Sequence, residues 1–133
     1  MKDTEEVCVA YIFFEDKILL TKHIRKNMWL PVGGHQKTGE TDRETLVSEV
    51  KEETNLNIKF YEDPKNTHPI IPGQEKSLIR EYIGYVENIS NLELDKTELS
   101  DYKWVTPEIQ RIEVHPKIKH KVSLAKEHRD SFL

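Results

Sequence analysis

The stretch Gly33-Gly34-His35-Gln36-Lys37-Thr38-Gly39-Glu40-Thr41-Asp42-Arg43-Glu44-Thr45-Leu46-Val47-Ser48-Glu49-Val50-Lys51-Glu52-Glu53-Thr54-Asn55-Leu56 decides how this chain is read. Paired glycines followed by polar residues up to Gly39 have the composition of a flexible loop. Thr41 or Asp42 can cap a helix, and Glu44 stands three residues after Thr41, the spacing of a capping box. The helix is expected to run to about Thr54, and Asn55 suits the left-handed residue that ends many helices. At about 100° per residue, Glu52 falls about −60° and Glu53 about +40° from Glu49, while Leu46, Val50 and Val47 fall at roughly 60°, 100° and 160°. An acidic stripe thus lies beside an apolar one.

Side chains three or four residues apart on a helix sit about 5–6 Å from one another. Two carboxylates at that separation repel by about 3 kcal/mol at an effective dielectric of 20, so in a cleft they require a compensating cation. Hard oxygen ligands with no cysteine or clustered histidine favour Mg²⁺ or Mn²⁺ over zinc, and magnesium in turn favours phosphate. Glycines before a helix let backbone approach a ligand, and the helix N-terminus carries positive partial charge. The structural alternative is that the acidic face is simply solvated.

Outward from this stretch, Val7 to Phe14 and Lys17 to Ile24 read as two antiparallel strands joined at Glu15-Asp16. Trp29-Leu30-Pro31-Val32 reads as a short strand opening into the glycine loop. Asn57 to Tyr61 is a candidate strand, and Glu62 to Ser77, with Pro64, Pro69, Pro72 and Gly73, reads mostly as loop. Leu78 to Val86 reads as a strand with Ile79, Tyr82 and Tyr85 as core contacts, Asn88 to Ser100 as irregular, and Asp101 to Val105 as the last strand. Thr106-Pro107 reads as a cap with proline at the first helical position. Pro116 opens a C-terminal helix with Ile118, Val122 and Ala125 as its buried stripe.

The whole chain, 133 residues with 36% hydrophobic and 33% charged, is read as one domain over 1–133. Its net charge of −4 disfavours a general nucleic-acid surface. Glu40 to Glu53 holds six acids against two bases and so carries the entire excess, the rest of the chain being balanced. No apolar run approaches the roughly 20 residues of a spanning helix, and Met1 to Glu6 is acidic and unlike a secretory signal. With Cys8 as the only cysteine, no internal disulfide forms, and a reducing cytoplasm is the expected setting. Cys8 itself reads as an inert buried thiol. The six histidines lack ligand spacing. Trp29 and Trp104 read as core more than as base-stacking platforms, and the basic residues Lys117, Lys119, Lys121, Lys126 and Arg129 as a solvated helix face.

From Gly34 the chain reads Gly34-x5-Glu40-x7-Ser48-Glu49-Val50-Lys51-Glu52-Glu53-Thr54-Asn55-Leu56, which closely resembles the Nudix box, G-x5-E-x7-R-E-U-x-E-E-x-G-U with U aliphatic. Trp29-Leu30-Pro31 and Trp104-Val105-Thr106-Pro107-Glu108 resemble flanking elements of the same family. Two positions depart: Ser48 replaces arginine, and Asn55 replaces glycine, a change that left-handed geometry tolerates. The resemblance implies an α+β fold, a sandwich of helices around a mixed β-sheet, in a MutT-like domain.

It also implies Mg²⁺-dependent hydrolysis of a nucleoside diphosphate linked to another group, with Mn²⁺ as the alternative ion. Glu52 and Glu53 are the implied metal ligands, and Glu49 is ligand or general base. Glu40 and the Gly33 carbonyl are further implied metal groups, as is a late-loop carboxylate, Glu98 first and Asp101 second. Gly34, Arg25 and Arg80 are assigned to substrate, Lys26 beside them, against a plain surface role for the cations. The expected partner is a small nucleotide or related diphosphate, with no nucleic acid or membrane, on a monomer or homodimer. Selectivity falls to the Glu62–Ser77 and Asn88–Ser100 loops and the early strands. The competing class is a catalytically weak or inactive nucleotide-binding domain, suggested by Ser48; substrate release with and without Mg²⁺ separates the two.

Overall fold

The computed structural model describes residues 3–62, 69–71, 73–106, 108 and 114–133. The elements are β1 (Asp3–Phe14), β2 (Lys17–His23), β3 (Met28–Leu30), β4 (Val32–Lys37), α1 (Asp42–Thr54), β5 (Lys59–Phe60), β6 (Ile79–Tyr85), β7 (Leu99–Val105) and α2 (Pro116–Asp130). A single 3₁₀ turn, Gln74–Lys76, precedes β6. The expected cap and proline at Thr106-Pro107 fall on a stretch where Pro107 and residues 109–113 lie outside the described residues.

β1 is the axis of a mixed sheet. It pairs antiparallel with β4 and, at Phe13↔Ile18 and Phe14↔Lys17, with β2. On its other edge it runs parallel to β6, from Val7↔Ile79 to Phe13↔Tyr85. β2 carries β3 and β7, and β6 carries β5. Successive side chains of a strand point to opposite faces. Cys8, Ala10 and Ile12 therefore enter one core with Leu46 and Val50 of α1, while Tyr11 and Phe13 enter another with Ile118, Val122 and Ala125 of α2. Helices cover both faces, which is why β1 reads as an unbroken apolar run. The result is the expected sandwich of helices about a mixed sheet.

Several readings change in the structure. Gly33 and Gly34 lie within β4, not in a loop. A Cβ on Gly33 would collide with the Cys8 carbonyl oxygen and stand 2.8 Å from Val9 Cα, so glycine serves close packing of backbone on β1. Ile79 is half exposed at the start of β6, on the face opposite to its buried neighbour Arg80. Arg129 is not on a solvated face. It is buried, donates to the Glu15 carbonyl at 3.1 Å and sits with its guanidinium 4.4 Å from the Phe13 ring centroid, tying α2 to the β1–β2 turn. Trp104 packs on Phe14 at 5.9 Å between ring centroids, and Trp29 lies under the Lys103 ammonium at 4.1 Å from its ring centroid. No helix of the described residues is long and apolar enough to cross a membrane.

Candidate active site and metal centre

The site is assembled from both ends of α1. At its start, Gly39 with φ 88° closes a turn in which Glu40 N donates to the Lys37 carbonyl at 3.0 Å. Glu40 Oε1 accepts from Lys37 N and from Thr45 Oγ1, each at 3.1 Å, so the Glu40 carboxylate braces the turn to the helix. Thr41 caps α1: Glu44 N donates to Thr41 Oγ1 at 3.1 Å and Thr41 N to Glu44 Oε1 at 2.9 Å. At the other end Asn55 adopts φ 61° and its N–H closes on the Lys51 carbonyl at 3.0 Å. Capping box and left-handed terminator both stand where the sequence puts them.

Between these ends, Glu53 is buried, Glu49 is half-buried and Glu52 is exposed. Glu49 folds against β4, so that a Cβ on Gly34 would stand 2.5 Å from Glu49 Cδ. Ser48 Oγ donates to Glu52 Oε1 at 3.3 Å, a neutral contact at the position where the resemblance calls for a cation. Burial, then the neighbouring Glu52 charge, holds the Glu49 carboxyl above the usual carboxylate range. Glu53 is held higher still by burial and by the Glu49 and Glu98 charges. Lys37 partly offsets the field at Glu49.

Glu98 reaches this group because its loop is clamped to the end of α1. The last carbonyls of a helix lack intrahelical partners. Here Asp95 N donates to the Glu53 carbonyl at 2.9 Å, Glu93 N to the Thr54 carbonyl at 3.0 Å, and Asn55 Nδ2 to the Asn91 carbonyl at 3.0 Å. Asp95 Oδ1 accepts from Thr97 N at 3.1 Å and Thr97 Oγ1 at 2.6 Å, and Glu98 N returns to the Asp95 carbonyl at 3.1 Å. The Glu98 carbonyl accepts from Ile24 N at 2.9 Å, joining the loop to the end of β2. Asp101 instead lies on β7 opposite Lys22 and accepts from its neighbour Tyr102 N at 2.8 Å.

Arg80 requires correction. Its guanidinium is buried, not open to substrate: Nε donates to Asp42 Oδ2 at 2.7 Å, Nη2 to Asp42 Oδ1 at 2.9 Å, and Nη1 to Glu6 Oε1 at 2.8 Å and the Ser77 carbonyl at 2.6 Å. A cation with its donors so engaged has none to present to a phosphate. Asp42 accepts further from Gln36 Nε2 at 2.9 Å and, in a short contact, from the Tyr82 hydroxyl. Burial alone would raise the Asp42 carboxyl, but the hydrogen bonds from Arg80 and Tyr82 outweigh it and hold the group below its usual range. This network pairs residues 38 and 40 positions apart, and no local spacing announces it. Arg25 and Lys26 are exposed in the turn after β2.

Among the described residues no three Asp, Glu, His or Cys side chains already form a metal-coordinating group. The donor set nonetheless fits a hard divalent cation. Glu53 Oε2 is buried without a hydrogen-bond partner, and the charges of Glu49, Glu98 and Glu52 act on the same carboxyl. A divalent cation would satisfy the orphaned oxygen and offset the crowded negative charge. A cavity of about 270 Å³ opens beyond the C-cap at Asn55, Asn57, Lys59 and Glu87, and none of these carboxylates lines it.

Comparison with solved structures places the fold. A NUDIX-family hydrolase from Clostridium perfringens superposes with a TM-score of 0.75 at 22% identity, over 92% of this chain and 95% of that one. An Ap4A hydrolase from C. elegans gives 0.69 at 20% identity over 95% and 97%, and an ADP-ribose pyrophosphatase from Streptococcus suis 0.67 at 19% over 92% and 90%. Comparison with curated proteins finds no match. The family model described as NUDIX domain matches residues 4–124, nearly the whole chain and the box within it, and on that match the chain belongs to the Nudix family of hydrolases.

Proposed function

We propose that this chain hydrolyses the pyrophosphate linkage of a small nucleoside diphosphate derivative, a nucleoside triphosphate or related compound, with Mg²⁺ as cofactor and Mn²⁺ as the alternative ion. The observation that carries the reading is Glu53, a fully enclosed carboxyl with one orphaned oxygen, set among Glu49, Glu52 and Glu98. A merely solvated acidic stripe would leave it in water. The neighbours named for ADP-ribose and Ap4A support a nucleotide substrate.

In this reading Glu49, Glu52 and Glu53 hold the metal, with Glu98 and the Gly33 carbonyl completing the set and Glu40 bracing the turn that precedes it. The bound cation supplies charge neutralisation on the phosphate oxygens and the leaving group. Glu49, set against Gly34 beside the other carboxylates, would accept a proton from the attacking water. Gly34 leaves room beside Glu49, and Arg25 meets the substrate phosphates from the exposed turn. The protein acts in the cytoplasm as a single domain, monomer or homodimer, on free nucleotides and not on nucleic acid.

The test is phosphate or pyrophosphate release from a nucleotide panel with and without Mg²⁺, with Glu53→Gln as a folded variant expected to lose turnover. Mg²⁺-independent release, or full activity in Glu53→Gln, would overturn the reading. A second reading, nucleotide binding without turnover, is favoured by the neutral Ser48–Glu52 contact; saturable binding without release in the same panel would establish it.

A further inference from the structure

Six residues of α1 are buried, and only two of them, Leu46 and Val50, are apolar; Val47 is 38% exposed. Two aliphatic side chains press the helix onto the sheet but define its rotation about its own axis poorly. Asp42, Glu49 and Glu53 stand at i, i+7 and i+11, within about 20° of one line along the helix. Asp42, the first residue of α1, is the member of that line with four donors on its carboxylate: Gln36 from β4, two from Arg80 on β6, and Tyr82 on β6.

β4 meets the same line twice. Gly34 abuts Glu49 and Gln36 bonds Asp42, and residues two apart on a strand share a face. Cys8 of β1 pairs with both Gly34 and Arg80, so the three strands form one cross-strand row under the helix. A buried ion pair adds little over apolar residues of the same volume; directional bonds from two strands add orientation. Arg80 also grips the Ser77 carbonyl, so the segment leading into β6 is held at the same point.

We propose that Arg80 and Asp42 are positioning residues that lock the rotation of α1, and so aim Glu49 and Glu53 at the site where the linkage is cleaved. The inference rests on the proposed hydrolysis for its kinetic consequence, but its geometric consequence stands without it. With the lock loosened, the first turns of α1 shift on the sheet while the far end stays clamped to the Glu93–Asp95 loop, and the Glu49 carboxyl leaves Gly34.

The test compares Asp42→Asn, Arg80→Lys and Tyr82→Phe with the unaltered chain, each first checked for a cooperative thermal transition above the assay temperature. Mn²⁺ affinity is measured by paramagnetic titration, kcat and KM on the nucleotide found by the panel, and the Glu49–Gly34 contact by crystallography without metal. Expected are a fall in kcat of about 10- to 100-fold with KM little changed, as displacements near 1 Å produce, weaker Mn²⁺ binding, and Glu49 withdrawn from Gly34. Folded variants with Glu49 still against Gly34 and unchanged kcat and Mn²⁺ affinity would overturn the lock alone. An unaltered chain that neither binds Mn²⁺ nor cleaves any nucleotide would overturn the hydrolase reading, while the crystallographic result still decides whether the lock exists. If Arg80→Lys does not fold, Asp42→Asn and Tyr82→Phe, which keep the buried volume, carry the comparison.

Discussion

The Glu49 carboxyl occupies the space that a side chain at residue 34 would need: Cδ and both carboxyl oxygens stand 2.5 to 2.8 Å from an ideal Cβ there. Gly34 is therefore the floor on which Glu49 rests, and its backbone sits in strand β4, paired with Cys8.

Gly34→Ala should displace Glu49 without unfolding the chain, because the obstacle is the far end of a flexible side chain. Turnover is expected to fall on the order of 100-fold with a small change in melting temperature. Steady-state kinetics beside a thermal melt decide this; wild-type turnover in the alanine variant would refute the contact's role.

Stability in the absence of metal should fall as pH rises. Burial, and then neighbouring carboxylates, raise Glu49 and Glu53 above the ordinary value of 4.5, so the folded chain holds protons that the unfolded chain has released. Stability then declines from about pH 4.5 upward through the raised values, by as much as about 1.4 kcal/mol per pH unit for each group protonated only in the fold. Mg²⁺ should reverse the loss by neutralising the carboxylates, and Glu53→Gln should flatten it. Melting temperature against pH, with chelator and with Mg²⁺, measures all three.

Ser48→Arg should place a cation beside Glu52, where Ser48 now makes one neutral hydrogen bond. Half-maximal activation should require several-fold less Mg²⁺ if the arginine orders the glutamates, while stability changes by roughly 0.5 kcal/mol or less, as at most surface sites. A Mg²⁺ titration of activity in the two proteins tests the direction.

Asp95→Ala should act through Glu98. Asp95 Oδ1 holds the Thr97 amide and hydroxyl, fixing the turn that delivers Glu98. Losing these two local, exposed bonds costs about 1 kcal/mol or somewhat more, and turnover should fall about as far as in Glu98→Gln. The two changes should be strongly non-additive in a double-mutant cycle, since both remove one contribution; full additivity would mean that Asp95 serves stability alone.

The acidic helix, its capping box at Thr41 and Glu44, its terminator at Asn55 and the two strands of the first hairpin were legible in the sequence. Each is written in short-range spacing: capping needs residues three apart, and an amphipathic stripe repeats within a turn. The glycine pair was legible as a need for space but not as part of a strand, because the Cys8 carbonyl that demands it comes from β1. Arg80 illustrates the same limit. Its charge suggested a phosphate partner, while its position opposite Cys8 buries it against Asp42.

What the sequence alone determined is the chemistry available: carboxylates on one helical face, no cation at Ser48, and a helix that begins and ends at set residues. Only the tertiary structure decided which carboxylate leaves water, which loop carbonyl and amide groups close the end of α1, and which way that helix is turned. Desolvation and orientation arise from contacts between residues tens of positions apart, and their energies do not exist until the sheet brings those residues together.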